Sequence, residues 1–131
     1  MPDNQTRTIP LAVATAVTDG GATETVVLVS NAITTAGPNQ TVTLVGEVNI
    51  TAGTNGVAAV IKIRRGSTTS GTQVGPTLTT TEVATKLYTI PFEITDAPGD
   101  VGGLTYCVTV TETSASANGT VNYVAIGGYY Q

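Results

Sequence analysis

The sequence predicts an all-β fold, an antiparallel β-sandwich that is either jelly-roll-like or immunoglobulin-like. Three observations carry this expectation. Seven or eight runs alternate apolar and polar residues with a period of two, separated at short spacing by Gly, Pro, Asn and Asp turn signals. No amphipathic run is long enough for a helix. Thr, with Val and Gly, takes the place usually held by Lys, Glu and Leu, and a β-branched hydroxyl residue fits a pleated surface.

In chain order, residues 1–10 are polar with a Pro near each end and read as an extended N-terminal arm, leaving 11–131 as a single sandwich domain. Leu11 to Thr18 is a weak strand in which Leu11, Val13 and Thr15 alternate with Ala12, Ala14 and Ala16; Asp19-Gly20-Gly21 turns the chain. Glu24 to Ser30 is apolar on both sides and is expected to be covered on both. Thr41 to Thr51 is half-buried, with Val42, Leu44, Val48 and Ile50 on one side and Thr43, Glu47 and Asn49 on the other. Gly46 marks a bulge or a close approach. After the Asn55-Gly56 turn, Val57 to Arg64 points Val57, Ala59, Ile61 and Ile63 inward and Lys62 and Arg64 outward. A short strand is expected around Val74 to Thr80.

Residues 86–111 carry much of the aromatic bulk, since Phe92 is the single Phe, there is no Trp, and two of the five Tyr lie here. They read as a hairpin. Tyr88, Ile90, Phe92 and Ile94 share one face of its first strand, Leu104, Tyr106, Val108 and Val110 one face of its second, and Pro98-Gly99-Asp100 is the turn. Pro91 lacks an N–H and belongs on a sheet edge or at a bulge, so the first strand is expected to border its sheet. A final strand runs from Thr120 to Ile126, ahead of Gly127-Gly128-Tyr129-Tyr130-Gln131.

Composition narrows the function classes. Charged residues make up 11% of the chain, the net charge is −4 and only five residues are basic, which excludes the Lys/Arg cluster of a nucleic-acid surface. No apolar run approaches the roughly 18 residues of a membrane span, and residues 1–10 lack the apolar core of a signal peptide. With no His, the His-dependent catalytic triads and His-Cys zinc sites are excluded, and the acids are scattered singly rather than paired. The expectation is a protein that is not an enzyme and carries no cofactor. Cys107, the lone cysteine, reads as a small inert hydrophobe. Four Asn-x-Thr triplets, at Asn4, Asn39, Asn49 and Asn118, are what chance supplies in a Thr-rich chain.

The contact candidates follow from what is left. Asp96 to Asp100 is a turn, with a calcium loop as the sharper alternative. Lys62, Arg64 and Arg65 hold three of the five basic residues, either as a solvated strand end or as a contact for an acidic neighbour. Tyr129 and Tyr130, behind a Gly pair, either fold back over the sandwich or anchor a partner. Arg7 and Ile9, in the arm, complete the set of expected partner contacts.

Val-Ile-Lys-Ile-Arg-Arg-Gly at Val60 to Gly66, Thr-Asp-Ala-Pro-Gly at Thr95 to Gly99, and Leu104-Thr105-Tyr106 resemble segments of small β-sandwich proteins of tailed bacteriophages, some with tumour-necrosis-factor-like or C1q-like jelly rolls. The resemblance runs over Val57 to Tyr123. It implies a virion structural protein, such as a capsid decoration or a head- or tail-fibre protein, located on the outer capsid surface or a fibre. It implies as partners the chain itself, as a homotrimer, and a major capsid or other virion protein, and it carries no catalytic residue to transfer. The alternative is a receptor- or carbohydrate-binding head domain, for which a chain without Trp is poorly supplied with stacking aromatics.

Overall fold

The structure is a computed structural model, and it describes residues 7–17, 22–35, 40–53, 56–82, 86–99, 102–112 and 119–131. Among them are eight strands: β1 (Arg7–Val17), β2 (Thr25–Val29), β3 (Val42–Ala52), β4 (Val57–Arg65), β5 (Thr72–Glu82), β6 (Leu87–Asp96), β7 (Tyr106–Glu112) and β8 (Gly119–Tyr130). They form two four-stranded antiparallel sheets, β1-β8-β3-β6 (sheet A) and β2-β7-β4-β5 (sheet B).

The pairing decides between the two expected sandwiches. β1 pairs with β8, β2 with β7, β3 with β6 and β4 with β5, as in one long antiparallel ribbon, tipped by the β4–β5 connection, that has rolled up on itself. That is a jelly roll. The chain therefore changes sheet at nearly every connection. The expected hairpin of residues 86–111 is one of these crossings: β6 lies in sheet A beside β3, and β7 lies in sheet B between β2 and β4. The alternation within each run holds, with Phe92, Ile94, Tyr106, Val108 and Val110 all buried, but the two strands face each other across the core instead of sharing a sheet.

That core is built from the inward rows of both sheets, among them Val42, Leu44, Val48 and Ile50 of β3, Val57, Ala59, Ile61 and Ile63 of β4, and Val121, Val124 and Ile126 of β8. Burying such side chains stabilises the fold by ~1.5–3 kcal/mol each relative to exposure. Gly46 is a site of close approach. A Cβ there would overlap the Ala125 carbonyl and stand 2.5 Å from the Phe92 ring. No register shift occurs at Gly46; the irregularity between β3 and β8 falls at Asn49/Ile50. Pro91 lies on edge strand β6, as expected from its missing N–H.

Three strands are longer than the sequence suggested. β5 is an 11-residue edge strand whose pairing with β4 is interrupted between Val74 and Leu78, where Gly75 adopts φ +69 and Pro76 follows it. β8 continues through Gly127 and Gly128 to Tyr130, so the tyrosine pair belongs to the sheet. β1 begins at Arg7 and takes in four residues read as arm; Met1 to Thr6 lie outside the described residues.

Between Ile9 and Ala12 the β1–β8 register shifts: Ile9 is opposite Gly128 and Ala12 opposite Ile126, so two residues, Pro10 and Leu11, oppose Gly127 alone. One inserted residue reverses the facing of everything beyond it. Ile9 and Ala12 therefore both face the core, and Leu11 and Val13 face solvent.

Candidate interaction face

The outer faces of the two sheets carry opposite kinds of surface. Across sheet A the register sets outward residues side by side: Tyr129 between Thr8 and Thr43, Gly127 between Leu11 and Val45, Ala125 between Val13 and Glu47, and Tyr123 between Thr15 and Asn49. Leu11 leans over Gly127, its Cδ1 3.4 Å from where a glycine Cβ would stand. Leu11 is 65% exposed, Val13 52%, Val45 43% and Tyr129 41%. These four make one apolar patch over β1, β8 and β3. Leu87, also exposed, lies on the same face opposite Thr51, and Val29 is the one large exposed apolar residue of sheet B among those described.

Beyond the patch, sheet A becomes polar and self-satisfied. Asn122 Nδ2 donates to Asn49 Oδ1 (2.9 Å) and Thr51 Oγ1 (2.7 Å), Asn49 Nδ2 donates to Thr89 Oγ1 (2.9 Å), and the Tyr123 hydroxyl donates to Glu47 Oε1 (3.1 Å). The bond to Glu47 pushes the Tyr123 hydroxyl above its ordinary pKa. The charges among the described outward positions are Glu47 and Glu93; no Lys or Arg stands there.

Around Arg64, sheet B's outer face is covered by its own chain. Arg64 grips Glu24 with Nε on Oε1 (2.8 Å) and Nη2 on Oε2 (3.0 Å), and its Nη1 donates to the Gly71 carbonyl (2.8 Å). Glu24 also accepts from Thr109 Oγ1 (2.9 Å), which lies completely buried beneath it. The Arg64 bond holds the Glu24 carboxyl below the usual range against a smaller opposing effect of burial. The β4–β5 connection folds over Cys107, whose Sγ reaches the Thr68 carbonyl (3.8 Å), and burial pushes that thiol's pKa up. Cys107 behaves as the buried small hydrophobe the sequence suggested.

At one end of the core a polar clasp joins the two sheets. Arg65 Nε and Nη2 donate to Asp96 Oδ2 (2.9 Å) and Oδ1 (2.6 Å), and the buried Tyr106 hydroxyl donates to Asp96 Oδ2 (2.7 Å). Burial alone would raise the Asp96 carboxyl, but the bonds from Arg65 and Tyr106 outweigh it and hold the carboxyl below its ordinary value. Burial and the Asp96 bond push Tyr106 far upward. The clasp occupies the carboxylate that a calcium loop at Asp96 would need, and Asp100 lies outside the described residues. Among the described residues no group of three His, Cys, Asp or Glu could hold a metal ion.

The structure separates the expected contact residues. Arg7 is exposed at the start of β1, opposite Tyr130. Ile9 is 2% exposed and packs in the core, so it is no surface contact; the bulge that turns Leu11 out leaves Ile9 facing in. Lys62 and Arg64 do face outward on sheet B, but Arg64 is engaged by Glu24 and Gly71, and Arg65 turns inward to Asp96. Tyr129 stands on the sheet A patch, while Tyr130, on the opposite side of β8, packs against the core. Leu11, Val13 and Val45 were not among the expected contacts. The signal for them lay in Ala12 and Ala14, small residues suited to the crowded side of a strand, and in Pro10, which marks the bulge.

No family model and no curated protein matches the chain. Solved structures do. The chain superimposes on a chain in the structure of infectious bursal disease virus Gx strain with a TM-score of 0.51 and 14% identity, over 97% of this chain and 32% of that one. The Gt strain structure aligns at TM-score 0.48 and 12% identity, over 95% of this chain and 37% of that one. The likeness to the Gx strain chain is one of fold alone. This chain spans about a third of the length of the viral chains it aligns with.

Proposed function

We propose that the chain is a virion structural protein, in the role of a capsid decoration or minor capsid protein that stabilises a shell through subunit contacts. The observation that carries the proposal is the bare apolar patch of Leu11, Val13, Val45 and Tyr129 on sheet A, in a sandwich whose core is already complete without it. Exposed apolar patches of this kind on small proteins mark contact surfaces. The jelly-roll topology and the segments resembling tailed-phage proteins support a virion setting, and the topology is one that viral shells use repeatedly. The mechanism is mechanical. Each apolar contact made at a subunit junction removes surface from water at ~25 cal/mol per Å², so that many copies together oppose opening of the shell.

The test mixes the purified chain with shells of the virus that encodes it, assembled without this chain. Co-sedimentation at a fixed ratio to the shell subunit is expected, weakened by Val13→Asp. No co-sedimentation contradicts the decoration role, and retention on host cells or on a glycan array favours the receptor-binding alternative, for which Tyr123 and its neighbouring amides on sheet A are the nearest chemistry.

A further inference from the structure

We infer that the outer face of sheet A docks against the same face of a second copy of this chain, about a two-fold axis running along β8. The inference takes the patch to be a contact surface, as above, but does not depend on a virion location.

The first argument is how the patch arises. Without the bulge at Pro10 and Leu11, β1 would turn Leu11 and Val13 inward with Ile9; with it, Ala12 and Ala14 face the core side and the larger residues face out. An arrangement that exposes the larger side chains and turns alanines inward is costly in water unless something covers it.

The second is area. Strands ~4.8 Å apart with a rise of ~3.4 Å per residue give the three strands β1, β8 and β3, over 11 residues, an area of about 540 Å², or about 1,100 Å² over both copies, just above the ~1,000 Å² that a specific interface needs and suited to a reversible dimer. Facing sheets pack about 10 Å apart with strands nearly aligned, which suits two copies of one twisted sheet.

The third is charge. With the axis along β8, the β1 strand of each copy lies over β3 of the other. Leu11 then meets Val45 and Val13 meets Glu47, each in its own row, Ala125 and Gly127 meet near the axis where small residues allow close approach, and Glu93 on β6 falls outside the contact. Glu47 is the one carboxylate left within it, half-buried and already receiving the Tyr123 hydroxyl. A partner offset toward β6 would bring Glu47 and Glu93 of both copies together and be repelled.

The edges point the same way. Pro10 on β1, Pro76 on β5 and Pro91 on β6 each remove a backbone donor from three of the four edge strands, and β2 is five residues long. Such edges resist strand-to-strand extension and leave a face as the route to self-association.

Sedimentation velocity on the purified chain over a wide concentration range tests this. The expected result is a monomer–dimer equilibrium that Leu11→Asp or Val13→Asp weakens by at least about tenfold, that Val45→Thr weakens less, and that Glu47→Gln tightens. Val29→Asp, on the outer face of sheet B, leaves it unchanged. Each altered side chain except the partly buried Glu47 is more than a third exposed, so far-UV circular dichroism should match the unaltered chain. A monomer at every concentration overturns the inference. So does a trimer, the unit implied by the tailed-phage resemblance, or a dimer broken by Val29→Asp and not by Val13→Asp. A chain that stays monomeric yet binds shells through Val13 removes the two-fold contact and leaves the decoration role standing.

Discussion

Sheets A and B bury similar inner rows but differ on their outer faces. On sheet B, Glu24, Arg64, Thr109 and the loop at Thr68 cover the strands with hydrogen bonds made within one chain. On sheet A, the β1 bulge raises Leu11 and Val13 beside Val45 and Tyr129 with nothing of the described chain over them. The difference teaches that a protein so short of charge still distributes it. Arg64 and Glu24 close over one face, and the other keeps an apolar patch with no Lys or Arg among its described outward positions.

The contrast can be broken most sharply with thiol chemistry. Cys107 on sheet B should label with maleimide only through opening of the structure, on the order of a thousandfold or more slower than a cysteine introduced by Val13→Cys on sheet A. Equal rates would show that sheet B is not closed.

The next effect is expected at the clasp between the sheets. Asp96→Ala leaves the Arg65 guanidinium and the Tyr106 hydroxyl without their acceptor, and should cost about 3 kcal/mol in urea unfolding, at the low end for a broken buried pair because Arg65 is partly exposed. It should leave dimerisation unchanged in the fraction that remains folded. A loss under ~1 kcal/mol would mean that the clasp is not closed in solution.

Glu24→Ala, which uncovers Thr109 and frees Arg64 on sheet B, should cost about 1 kcal/mol. Glu24 and Asp96 both titrate below their ordinary values in the folded chain. Their contribution is therefore fully present above the unfolded-state carboxylate range and is lost as pH falls from about 4 through their folded values. Stability measured against pH should fall in that window, and less steeply in Asp96→Asn than in the unaltered chain. The smallest effect is expected on sheet A itself, where Leu11→Thr should change monomer stability by no more than ~0.5 kcal/mol.

Much of this was legible in the sequence, for a physical reason. Strand positions follow from local alternation, and the inward rows of β3, β4, β6 and β7 were assigned correctly from their residues alone. Sheet membership was not legible, because residues 86–111 alternate in the same way whether β6 and β7 are neighbours or face each other across a core. The facing of Leu11 and Val13 was hidden by a single bulge residue, which reverses parity without altering composition. The clasp was half visible: Arg65 continues the inward parity of Ile63, Asp96 that of Ile94 and Tyr106 that of Val108, but pairing them needed the order of strands.

The most direct test of the difference between the faces is a dilution series followed by methyl NMR. The methyl groups of Leu11, Val13 and Val45 should shift with protein concentration while those of Val29 and Val60 on sheet B stay fixed. Concentration-dependent shifts at Val29 and Val60, or none on either face, would contradict it.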